Sequence, residues 1–321
     1  RKPCRREEQT TYRPQVELRE RGTMAEAVFT GNWPAMVTPM YDDGRLRLES
    51  VPLLVEKFVR EQAGGIYLCG STGQGPLLTT EERKAMTEAT VKAAAGRLPV
   101  MVHVGAMRVE DAQELAAHAA AVGADAVSSV VPMYYPPTLA STMEHYRRIT
   151  EASDLPFYAY NFAIPNCPVE AYVEALMQIP HARGLKFTST NMYELARLKI
   201  ASGGQLNVLS GSDESYLAAQ AQGADGAIGS TQNIGLPLFR AVEAAAVAGR
   251  WEEARRLMLQ TVRLVHEVTI CCGLASLHTI LTREGIPCGQ PRHPLPHAVG
   301  EVEERAWETY RSLMNEVSEA G

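Results

Sequence analysis

The sequence predicts an α/β fold, a (β/α)8 TIM barrel with a C-terminal helical extension. Three observations carry this expectation. From Gly31 onward, short apolar runs alternate with helix-length amphipathic segments, and strands alternating with helices imply parallel βαβ units. Eight such runs can be found, and eight units over roughly 200–250 residues is the size of this barrel. There is also an internal echo. Val122-Gly123-Ala124-Asp125-Ala126 and Gln222-Gly223-Ala224-Asp225-Gly226 each join a helix to a following strand, which puts the fourth and eighth strands in equivalent settings. Gly-Ala-Asp is also a common helix-to-strand connector, so coincidence remains the plain alternative. A doubly wound open sheet is the competing architecture, but no Gly-x-Gly-x-x-Gly opens a helix after the first strand.

Residues 1–28 are rich in Arg and Glu and lack an apolar period. They are expected to form a flexible extension, with Met24 a candidate start. The candidate strands run from Ala35 to Thr38, Gly65 to Cys69, Val100 to Val104, Ala126 to Val131, Phe157 to Tyr160, Gly184 to Phe187, Asn207 to Ser210 and Gly226 to Gly229. Thr79-Thr80-Glu81-Glu82 fits a capping box. It starts the helix after the second strand and leaves Gly70 to Pro76 as a loop. Beyond Leu236 the pattern is helical: Trp251, Ala254, Leu257, Met258, Val262 and Val265 recur at helical spacing. Further helices are expected from Cys272 to Thr282 and from Glu301 to Val317, separated by a non-helical stretch from Gly285 to Arg292. The expected organisation is an extension over 1–28, a barrel over 29–245 and a helical region over 246–321 packed on it.

With 321 residues and 45% hydrophobic content, the chain can bury a full core. A formal charge of -6 and the lack of a basic stripe argue against a nucleic-acid partner. No apolar run approaches the ~20 residues of a membrane span, so no membrane partner is expected. The N-terminus lacks the apolar core of a signal peptide. The six cysteines lack zinc-type spacing, and adjacent Cys271-Cys272 is a poor disulfide candidate. Free thiols in a reducing cytoplasm are the expectation.

The chemistry centres on Gly184-Leu185-Lys186-Phe187-Thr188. Lysine is rarely buried without a reason, and desolvation disfavours its charged form. A Schiff-base enzyme needs a neutral amine, because only that form attacks a carbonyl. The chain's other lysines past the extension, Lys57, Lys84, Lys92 and Lys199, fall in helix-like, polar-faced segments. The bland alternative is an edge-strand lysine snorkelling to water. In such a barrel the active site lies at the C-terminal ends of the strands, and further unusual features fall there. Gly70-Ser71-Thr72-Gly73-Gln74-Gly75 offers amides and hydroxyls suited to a small carboxylate, although a plain turn is the commoner explanation. Tyr134-Tyr135-Pro136-Pro137 follows the fourth strand and is equally read as packing. Tyr160-Asn161 ends the fifth, and Tyr160 is a candidate general acid–base or an ordinary core tyrosine. Together these features describe a 2-keto acid held by its carboxylate. Its ketone forms an imine with Lys186, and Tyr160 moves a proton.

Gly70-Ser71-Thr72-Gly73, Tyr134-Tyr135, Tyr160-Asn161 and Gly184-Leu185-Lys186, in this order, resemble the dihydrodipicolinate synthase and N-acetylneuraminate lyase family of class I pyruvate aldolases. The resemblance runs from about Gly31 to Arg292, ending in Gly289-Gln290-Pro291-Arg292. It implies a carbon–carbon lyase acting on pyruvate and an aldehyde or sugar acid. It also implies a homotetramer, with no metal and no organic cofactor. It implies Lys186 as the Schiff-base lysine, Tyr160 as proton shuttle, and Ser71 and Thr72 as carboxylate holders. Tyr135 would serve a neighbouring subunit's site. Two departures stand out. Gln74 replaces the family's usual Glu, removing a charge near the site, and Phe162-Ala163-Ile164 intervenes between Tyr160-Asn161 and Pro165.

Dihydrodipicolinate synthases typically carry an arginine shortly after Tyr-Asn to hold a second carboxylate. Here none occurs until Arg183. Gly211-Ser212-Asp213-Glu214 and Gly229-Ser230-Thr231 instead resemble the sialic acid lyase pattern. That pattern implies Thr188, Gly211, Asp213, Glu214 and Ser230 as contacts to a polyol chain. Asp213 is also read as a mere cap of the helix that follows it. The alternatives are a 4-hydroxy-tetrahydrodipicolinate synthase, another 2-keto-3-deoxy sugar acid aldolase, or a non-catalytic barrel that binds a keto acid or sugar acid.

Overall fold

The computed structural model describes residues 29–135, 137–161 and 166–319. The N-terminal extension and its expected flexibility lie outside them, as do Pro136 and the altered segment from Phe162 to Pro165. Eight parallel strands make one sheet: β1 Gly31–Pro34, β2 Ile66–Leu68, β3 Val100–His103, β4 Ala126–Ser129, β5 Phe157–Asn161, β6 Ala182–Phe187, β7 Asn207–Ser210 and β8 Gly226–Gly229. Their hydrogen-bonded order is β1-β8-β7-β6-β5-β4-β3-β2. A parallel bridge from Ala35 to Tyr67 and the bond from Met36 N to Tyr67 O, 2.9 Å, close β1 onto β2. Helices α1 Val51–Arg60, α2 Thr80–Ala94, α3 Val109–Ala121, α4 Leu139–Thr150, α5 Val169–Leu176, α6 Met192–Ala201, α7 Tyr216–Ala221 and α8 Gln232–Val247 follow the strands in turn. This is the expected TIM barrel.

Side chains alternate across each strand, which gives the barrel two apolar compartments. Trp33, Tyr67, Met101, Ala126, Tyr158, Leu209 and Ile228 fill its inside, while Leu68, Val102, Val127, Leu185, Phe187 and Val208 belong to the larger core under the helices. Phe29 stacks on Tyr158 at 5.5 Å and tilts against Trp33 at 4.8 Å. The Asn207 side chain pins the Phe29 backbone through both N–H and C=O. The internal echo has a structural basis. Asp125 accepts the Val100 amide at the start of β3, and Asp225 accepts the Val208 amide at the start of β7, at 2.8 and 2.7 Å. The capping box at Thr79 and Glu82 forms in both directions.

Several expectations need correction. The first strand was expected from Ala35 to Thr38 but lies four residues earlier, paired through Gly31–Pro34 with Gly226–Gly229. Pro34 has no N–H to give, and the sheet bonds resume at Ala35, whose N–H reaches Gly229 O at 2.9 Å. Lys57 is on a helix as expected, but not on a polar face: it is 4% exposed, held by Glu61 at 2.7 Å and Glu284 at 3.1 Å. The helix expected from Cys272 is α10 Ala275–Arg283. Cys272 instead lies just past a π-helical stretch, Leu264–Ile270, that continues α9 Trp251–Arg263, its N–H bonded back to Val268 O at 3.1 Å; Gly273 then reverses the chain with φ 73°. The last helix, α11, is Glu301–Glu319. No single described helix is long and apolar enough to cross a membrane. Cys69, Cys167, Cys271, Cys272 and Cys288 are free thiols.

Candidate active site

Lys186 sits near the C-terminal end of β6, in register with Tyr160 on β5 and Leu209 on β7. The alternation of β6 sends its side chain into the barrel, where it is 5% exposed. Its Nζ lies 4.3 Å from the ring centroids of both Tyr67 and Tyr160. Burial alone does not single it out, since Lys57 is equally buried. The partners do: Lys57 faces two carboxylates, Lys186 two aromatic rings.

Tyr160 is 6% exposed. Burial pushes its hydroxyl up. The positive charge of Lys186 and the nearby Ser71 and Thr188 side chains outweigh that, leaving it below tyrosine's ordinary value. Lys186, Tyr160, Ser71 and Thr188 are therefore one cluster, drawn from β6, β5 and the loop after β2. Two neighbours were not singled out from the sequence. Tyr67 meets Tyr160 edge-on at 6.2 Å, and His103 does so at 5.7 Å. Burial, with the charges of Arg83 and Lys186, holds His103 well below the ordinary histidine value, and its Nε2 accepts the Val130 amide at 3.2 Å. Both lie inside apolar strand runs, and a polar aromatic in such a run was the available signal.

The loop after β2 is a tight turn. Gln74 N donates to Ser71 O and Gly75 N to Gly70 O, each at 3.0 Å, and Thr38 Oγ1 donates to Gly73 O at 2.6 Å. Among the described residues the Ser71 and Thr72 amides donate to no backbone carbonyl. Ser71 is exposed and Thr72 half-buried. The expected loss of site charge at Gln74 takes a different form. Gln74 is buried, and its Oε1 accepts from Arg292 N at 2.6 Å. Its Nε2 lies 3.4 Å from His278 Nε2. His278 Nδ1 lies 3.0 Å from Cys288 O, and burial lowers that imidazole to about 4. It is therefore neutral, donating through Nδ1 and accepting from Gln74. Gln74 ties the loop to the C-terminal segment and does not face Lys186.

Across the barrel, Gly211 N donates to Phe187 O at 2.7 Å. Asp213 is buried and caps a helix, though not the one that follows it. Its Oδ2 accepts the Thr231 amide at 2.8 Å and its Oδ1 the Gln232 side chain at 3.1 Å, both at the start of α8. The carboxylate lies over Gly229, where a Cβ would come within 1.6 Å of Oδ1. Burial raises Asp213 to about 6, against the lowering by these two bonds. Glu214 is exposed and Ser230 half-buried. Thr231 Oγ1 meets Thr269 Oγ1 of the π-helical stretch at 2.9 Å. Tyr134 and Tyr135 stand on the rim, 79% and 70% exposed, edge to face at 5.1 Å.

The sequence from residue 28 to residue 315 matches the Dihydrodipicolinate synthetase family. The chain belongs to this family. It is 35% identical over 266 residues to an N-acetylneuraminate lyase of Rhizobium meliloti, covering 82% of this chain and 88% of that one. It is 32% identical over 272 residues to a 4-hydroxy-tetrahydrodipicolinate synthase of Roseobacter denitrificans, covering 84% and 92%. Its structure resembles an N-acetylneuraminate lyase of Aliivibrio salmonicida with a TM-score of 0.84 at 30% identity, over 90% of this chain and 98% of that one. As a member of the dihydrodipicolinate synthetase family, the chain is an enzyme, a class I pyruvate-dependent aldolase.

Proposed function

We propose that this aldolase cleaves N-acetylneuraminate to N-acetylmannosamine and pyruvate. The observation that carries the chemistry is the Lys186 amine, buried against Tyr160 and within one cluster with Ser71. The choice of substrate rests on the relatives named N-acetylneuraminate lyase. It also rests on the lack of an arginine from Asn161 to Ala182, since Arg183 lies at the opposite end of β6 from the mouth.

In this reading the Ser71 and Thr72 amides and hydroxyls hold the substrate's carboxylate. Lys186 Nζ bonds to the keto carbon of the open-chain sugar acid, and the keto oxygen leaves as water after taking a proton from Tyr160, which becomes the phenolate base of the next step. Tyr160 takes the proton of the hydroxyl two carbons from the imine. The bond between the hydroxyl-bearing carbon and the carbon next to the imine breaks, its electrons enter the iminium to give an enamine, and the aldehyde departs. Protonation of the enamine and hydrolysis of the imine release pyruvate and restore the amine. Thr188, Gly211, Glu214 and Ser230 line the path of the polyol chain. Asp213 acts through the start of α8, fixing Ser230. The reading includes the homotetramer, with Tyr135 reaching a neighbouring subunit's site, and a cytoplasmic location, which the free thiols suit.

A second reading, condensation of pyruvate with aspartate semialdehyde, is favoured by the 32% identity to a 4-hydroxy-tetrahydrodipicolinate synthase. Pyruvate release from N-acetylneuraminate, followed by NADH oxidation with lactate dehydrogenase, tests the choice. Turnover supports the lyase. No turnover, together with consumption of pyruvate and aspartate semialdehyde, overturns it in favour of the synthase.

A further inference from the structure

Tyr67 lies between the two halves of the site. Its ring is fully buried, with its hydroxyl 3.3 Å from Ser128 Oγ and its edge against Tyr160. Against it lies the Lys186 amine, 4.3 Å from the centroid. It also meets Gly70, the first residue of the loop that carries Ser71 and Thr72. A Cβ at Gly70 would stand 2.5 Å from Tyr67 Cε1, closer than carbon atoms approach, so only glycine lets the loop rest on the ring. Among the described residues no carboxylate is within ion-pair distance of Lys186 Nζ, so aromatic faces, not a counter-ion, fix the amine. One rigid ring thus touches both the carboxylate loop and the nucleophile.

We propose that Tyr67 is a positioning residue: its ring is the spacer that sets the distance between the carboxylate-holding loop and the Lys186 amine, and so makes the site select 2-keto acids over simple ketones. The inference rests on Lys186 forming an imine. A keto acid must span both groups at once, with its carboxylate on the loop and its keto carbon at the amine. A displacement of about 1 Å between such groups lowers rates by ~10²-fold. A ketone without a carboxylate has only one anchor, so its reaction does not depend on the spacing. The hydroxyl is dispensable for this role, because the ring makes both contacts.

The experiment compares borohydride trapping of pyruvate and of acetone on the intact enzyme. In each case the amine nitrogen bonds to the carbonyl carbon and the carbonyl oxygen leaves as water. Hydride then adds to the imine carbon, leaving a secondary amine on Lys186. The pyruvate-to-acetone ratio of trapping rates is the readout, because loss of folded protein lowers both rates alike. Tyr67→Phe is expected to keep the ratio within a few-fold, and Tyr67→Leu to lower it about a hundredfold. Gly70→Ala, which forces the ring to tilt, is expected to lower it similarly and serves if Tyr67→Leu does not fold. A ratio unchanged in Tyr67→Leu or Gly70→Ala, or lost in Tyr67→Phe, overturns the spacer while leaving imine formation intact. Absence of any pyruvate adduct on wild-type Lys186 overturns the imine reading and the spacer with it.

Discussion

Asp213→Asn separates a buried structural acid from a substrate ligand. Asparagine keeps the shape, and its carbonyl can still accept the Thr231 amide. Burial raises Asp213 from 3.8 to about 6, so the folded chain binds this proton more tightly than the unfolded chain. The stability contributed by the neutral acid is full below about 3.8 and is lost as pH rises through about 6. A shift of roughly two units at ~1.36 kcal/mol each makes the loss about 2–3 kcal/mol between pH 4 and pH 7. Asp213→Asn carries no such proton, so the stability of the variant relative to wild type should rise by about that amount over the same window. Urea unfolding of both proteins at each pH measures it. A difference that stays constant from pH 4 to pH 7 would refute a buried Asp213 raised by desolvation. On the same samples, pyruvate trapping at Lys186 should be retained, because Ser71, Thr72 and Lys186 are untouched.

Tyr160→Phe removes one hydroxyl from the cluster with Ser71 and Thr188 and should lower turnover by ~10²-fold or more; near-wild-type turnover would show that the proton travels by another route. Lys57→Met leaves half-buried Glu61 and the more exposed Glu284 without their cation and should destabilise the fold by roughly 1–3 kcal/mol. Activity per folded molecule should be unchanged, and an equal loss of specific activity would place Lys57 in the chemistry.

Much of the barrel was legible because its strands are bounded by strong local signals. The fourth and eighth strands each follow a Gly-Ala-Asp connector, and both begin where those connectors put them, at Ala126 and Gly226. The first strand was not legible, since Asn32 and Pro34 look like turn residues until their partners on β8 are known. Lys186, Tyr160 and Ser71 were legible because each is chemically odd in its local setting, and the fold brings them together. Tyr67 and His103 were hidden in apolar strands, where sequence cannot tell which residues of neighbouring strands meet inside a barrel. Lys57 was misread, and the partners of Gln74 were hidden, for a related reason. Their decisive partners, Glu284 and Arg292, lie more than 200 residues away in the C-terminal segment. Asp213 as a cap was legible in kind, but the helix it holds begins at Gln232 rather than at its own neighbours.

The central claim is that Lys186, and not the equally buried Lys57, is the amine that meets pyruvate. Trapping with pyruvate and borohydride, followed by peptide mapping by mass spectrometry, tests it directly. The account predicts a single stable adduct on the peptide bearing Lys186, with loss of activity in proportion to its formation. An adduct on Lys57 or another lysine, or full inactivation with Lys186 unmodified, would contradict it.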